Sequence, residues 1–67
     1  MTSELDIYAS AKMLLDQHGL KGASEHAAER IHTLRELGDE EGAAVWSKIR
    51  AALLDLSDIR FKGERVN

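Results

Sequence analysis

The chain has 67 residues and a mass of 7.4 kDa, which allows one small domain. It is 43% hydrophobic and 31% charged, a balance that favours folding over disorder. The absence of cysteine and proline excludes disulfides, thiolate metal sites and rigid linkers, and the net charge of −3 disfavours binding to phosphate backbones.

The first helix is expected over about 4–18. Thr2 or Ser3 can cap it, and Glu4 and Asp6 put negative charge in the first turn, where the helix dipole favours it. Ile7, Tyr8, Ala11, Leu14, Leu15 and His18 then follow a helical stripe. Gly19 supplies a left-handed stop, with Leu20 as the apolar contact that folds back after it. A second helix is expected over about 23–37, with an inner stripe of Ala23, Ala27, Ala28, Ile31 and Leu34 and with Gly38 as terminator. So few large side chains on that face allow a neighbouring helix to approach closely.

The third helix is expected over about 40–57. Asp39 caps it, and Glu40 and Glu41 complete a negative first turn. Trp46, Ile49, Leu53 and Leu56 recur at steps of three and four, which makes this the dominant amphipathic stretch. The short Gly38-Asp39 turn makes helices two and three an antiparallel hairpin.

The predicted fold is therefore all-α, a small three-helix bundle occupying residues 1–58. Its expected core is Tyr8, Leu15, Ile31, Leu34, Trp46, Ile49, Leu53 and Leu56, with Trp46 as main anchor. Residues 1–58 carry six basic and eleven acidic side chains, a net of −5. Residues 59–67 read as a basic, partly frayed tail, with Arg60, Lys62 and Arg65 against Glu64, the alternative being that helix three continues through Lys62 to a stop at Gly63.

No residue set converges on catalysis, a cofactor or a metal. His26 and His32 are six apart and fall on different helix faces, whereas a shared metal wants a spacing of three or four. His26 and Glu29 have that spacing, but no facing helix repeats the motif. His18 reads as a cation at a helix C-terminus. Glu36, Asp39, Glu40 and Glu41 read as a solvated cap rather than as paired catalytic carboxylates. The same acidic start argues against a DNA-reading helix, whose N-terminal end would enter the major groove.

The informative oddities are apolar residues off their stripes. Met13, Leu37, Leu54 and Phe61 are candidate interface residues, and Leu5 is also off-centre. A chain this short has little core to spare, which raises the expectation of a protein partner or of self-association.

The stretch Gly38-Asp39-Glu40-Glu41-Gly42-Ala43-Ala44-Val45-Trp46, followed by Ile49, Ala52 and Leu53, together with Gln17-His18-Gly19, resembles a group of short helical proteins largely from alphaproteobacteria. The resemblance covers about residues 5–56 and carries no characterised activity. It implies a small bacterial helical unit without importing a substrate or catalytic residue. No apolar run approaches the roughly 18 residues of a membrane span, so a cytoplasmic protein is expected.

The leading reading is a non-enzymatic helical module acting through protein–protein contact, with a homodimer as one form. The alternatives are a nucleic-acid-associated regulator using the basic tail, and an inhibitor or antitoxin of phage or plasmid type.

Overall fold

A computed structural model describes the backbone of residues 3–64 and the side chains of residues 3–58. Among the described residues the chain forms two helices and no strand, α1 (Glu4–Glu36) and α2 (Glu40–Glu64), which make a helical hairpin. Ser3 caps α1, its hydroxyl accepting from the Asp6 backbone N–H at 3.1 Å. Asp39 caps α2 in the same way, accepting from the Gly42 N–H at 2.9 Å. Between the helices, Gly38 takes a left-handed φ of 80°. The Leu37, Gly38 and Asp39 N–H groups turn back to the carbonyls of Thr33, Arg35 and Leu34, satisfying groups that a helix end leaves open.

The expected three-helix bundle is not what forms. The stretches read as helices over 4–18 and 23–37 are one element, because Leu20, Lys21 and Gly22 are helical rather than a connecting loop. Gly19 alone breaks the helical dihedrals inside α1, with φ 73° and ψ 172°, a combination open essentially to glycine. One such residue redirects the helix without taking any others out of it. Leu20 accordingly packs half-buried against the core from within α1 instead of folding back after a stop.

The bend at Gly19 is large. In a straight helix Ile7 and Ile31 would stand roughly 36 Å apart, at 1.5 Å per residue. Yet Ala51 of α2 lines one groove with Ile7 and another with Ile31. Both arms of α1 therefore lie along the same part of α2. The Tyr8 hydroxyl confirms the placement of the first arm, donating to Asp55 Oδ2 at 2.9 Å.

The core sits where the two arms meet α2. Ile7, Ala11, Leu14 and Leu15 from the first arm and Ala23 and Ala27 from the second form one buried cluster with Ile49, Ala52 and Leu53. The alanines let the helices approach closely, and Leu53, fully excluded from solvent, fills the middle. Of the expected core, Leu15, Ile31, Ile49 and Leu53 are buried, while Tyr8, Leu34, Trp46 and Leu56 are half-buried. Trp46 packs on the core from its margin, so the anchor is Leu53 instead.

The expected helix end near Ser57 is also displaced. α2 continues to Glu64, and Gly63 lies within it rather than stopping it. No glycine or proline stands between Ala43 and Lys62 to interrupt the helix. Ser57 is itself buried at 7% exposure, within the packed part of α2. The side chains of Phe61 and of the basic residues Arg60, Lys62 and Arg65 lie outside the described residues.

Candidate functional site

The residues singled out by sequence do not gather into one place. Leu37, 76% exposed, belongs to the hairpin turn. Leu54, 58% exposed, stands roughly 21 Å along α2 from its start, at 1.5 Å per residue. Met13 is exposed on the side of α1 opposite Ala11, and Leu5 is exposed near the N-terminus. Of these, Leu54 borders a groove.

That groove belongs to the outer side of α2. Burial of Ala43, Ile49, Ala52, Leu53 and Ser57 fixes the inner side. Helical geometry then turns Ala44, Lys48, Ala51, Leu54 and Asp55 outward, and all five are exposed. The two arms of α1 flank this strip and make a groove along each edge. On one edge, a groove of about 360 Å³ is walled by Glu4, Ile7 and Tyr8 against Lys48, Ala51 and Asp55. On the other, a groove of about 250 Å³ is walled by Ile31 against Ser47, Arg50 and Leu54. Ala51 belongs to both, so the small methyl group forms the saddle between them.

The electrostatics of the strip are ordered along the helix. Lys48 and Asp55 are seven residues apart and nearly eclipsed, which puts a cation one turn before Ala51 and an anion one turn after it. Asp55 uses Oδ2 to accept from Tyr8. That hydrogen bond, with the nearby carboxylate charge, raises the Tyr8 pKa above its ordinary value of 10.0, because both favour the protonated phenol.

A second cluster lies across the bend. The His18 and His26 rings stack with centroids 5.9 Å apart and planes inclined by 17°. His26 meets Trp46 edge-on at 5.5 Å, and the Arg30 guanidinium lies 5.8 Å from the indole centroid, within cation–π range. Spacing alone misses this pairing, since eight residues on a straight helix do not bring two rings into contact. His32 makes a separate exposed contact with Glu36 at 3.5 Å. Among the described residues no three His, Cys, Asp or Glu side chains are grouped so as to hold a metal ion. Asp39 serves as the α2 cap, with Glu40 and Glu41 exposed in the first turn beside it.

The sequence matches no protein-family model, and neither the curated proteins nor the solved structures contain a significant match to it. Among the described residues no helix is long and apolar enough to cross a membrane.

Proposed function

We propose that the protein is a small interaction module whose working surface is the outer side of α2. The observation that carries this reading is the pair of grooves that share Ala51, with Leu54 left 58% exposed at the lip of one and Tyr8 and Ile7 walling the other. A concave strip with apolar walls and charges at its edge has the anatomy of a protein contact, an apolar centre with a polar rim. Lone exposed apolar residues such as Leu5 need no such explanation.

A photo-crosslinking amino acid placed at Leu54, and separately at the exposed Glu29 on the far side of α1, tests the surface in cells that make the protein. A discrete adduct from position 54 and none from position 29 is the expected result. Equal labelling from both positions, or none from position 54, would reject the outer side of α2 as the working surface.

A further inference from the structure

We infer that the occupant of this surface is a second copy of the same chain, docked with its α2 antiparallel about a two-fold axis at Ala51. The inference rests on the outer side of α2 being the working surface, and it adds the partner and the register.

The argument is charge complementarity with itself. In a two-fold antiparallel pair of helices, a residue a given distance before the axis faces the partner's residue the same distance after it, on the same edge of the contact. Lys48 lies about 4.5 Å before Ala51 along the helix axis and Asp55 about 6 Å after it, at 1.5 Å per residue. The second copy therefore brings its own Asp55 to within about 1.5 Å, along the axis, of the first chain's Lys48. The two-fold repeats the pair, so two cation–anion contacts form along one edge. A parallel pairing in the same register would instead set Lys48 on Lys48 and Asp55 on Asp55.

The remaining side chains are consistent with the same register. Asp55 Oδ2 is engaged by Tyr8, which leaves Oδ1 to accept from the ammonium. On the opposite edge Leu54 of each copy falls on Ser47 of the other, a small partner that itself bonds back to the Ala43 carbonyl at 2.9 Å. At the axis Ala51 meets Ala51, so the helices can approach closely. Ala44 falls opposite Asp58 at the ends of a contact about 21 Å long. A single helix face of that length gives an interface at the small end of the range, so the dimer is weak and concentration-dependent.

The test is sedimentation equilibrium of the full chain from low micromolar to near millimolar concentration, with circular dichroism to verify folding. Wild type should move toward twice 7.4 kDa as concentration rises. Lys48→Glu and Asp55→Lys each create two like-charge contacts and should weaken association about tenfold or more. Mixing the two variants should restore the two-chain mass, because each supplies the charge that the other lacks.

Asp55 also holds Tyr8, so if Asp55→Lys unfolds, Ala51→Glu takes its place, because it keeps the Tyr8 contact and sets like charges at the axis. It should hold the folded chain at one-chain mass, whereas a folded Ala51→Glu chain that associates like wild type would overturn the second-copy assignment. A wild-type chain that stays at one-chain mass throughout, or folded variants whose mixture fails to associate, would overturn the second-copy assignment. A position-54 adduct of some mass other than two chains would overturn it too, while leaving the surface itself in place.

Discussion

Gly38 and Gly19 have nearly the same left-handed φ, 80° and 73°, but they are supported in different ways. Around Gly38 the support is local. Three backbone N–H groups turn back onto carbonyls of the preceding turn, and Asp39 caps α2 directly after it. At Gly19 the residue before the resuming helix has no side chain with which to cap it. The bend is fixed by tertiary contacts: Leu14 and Leu15 before it and Ala23 after it are buried in one cluster with Leu53 of α2. A turn that satisfies its own hydrogen bonds can form before the rest of the fold, whereas a bend held by burial exists only once the core does.

Substitutions can separate the two kinds of support. The largest effect is expected from Leu53→Ala, which removes the fully buried side chain of the cluster that both arms of α1 join. It should cost about 2–5 kcal/mol in chemical denaturation. Hydrogen exchange should quicken across residues 4–18 before it quickens at 40–43. Uniform quickening would mean that the bend and the turn are not separately supported.

Gly19→Ala should cost about 1–3 kcal/mol, since alanine is strained where ψ of 172° accompanies a positive φ. No neighbouring atom lies within 4 Å of a methyl group there, so the loss would be backbone strain rather than collision. Asp39→Ala should cost about 1 kcal/mol by removing the α2 cap, and it should leave exchange near Gly19 unchanged.

The mildest test reads the first arm directly. Tyr8 is the single tyrosine, so the ultraviolet absorbance of its phenolate reports one group. Its pKa is raised in the folded chain by the hydrogen bond to Asp55 and by that carboxylate's charge. The folded state therefore holds the proton more tightly than the unfolded state. The stabilisation from this contact is present below about pH 10 and is lost as the pH rises through the higher folded-state value. Asp55→Asn should bring the titration back toward 10.0, the ordinary value. An unchanged titration would show that the first arm is not docked on α2 through this contact.

Much of this organisation is legible in the residues. Helical periodicity, the Ser3 and Asp39 caps, Gly38 as terminator and the inward faces of both arms all come from spacing and local chemistry. Gly19 and Gly22, however, do not border a loop. Spacing shows that glycine can leave the helical region, but not that Leu20 and Lys21 return to it at once.

The stacking of His18 on His26 is hidden for the same reason, since it depends on the angle of the bend. Leu54 is visible as an off-stripe residue. Lys48, Ala51 and Asp55, by contrast, look like ordinary solvent positions until Tyr8 and Ile31 are brought up on either side. A seven-residue interval between opposite charges, centred on alanine, is the available signal.

Trp46, the single indole, gives the molecule its own optical label. Its neighbours His26 and Arg30 belong to the other limb of the hairpin, so its emission reports closure of that limb on α2. Tyr8 reports the docking of the remaining limb. Two intrinsic chromophores thus watch two hinges, and the order in which the limbs engage can be timed without attaching a dye.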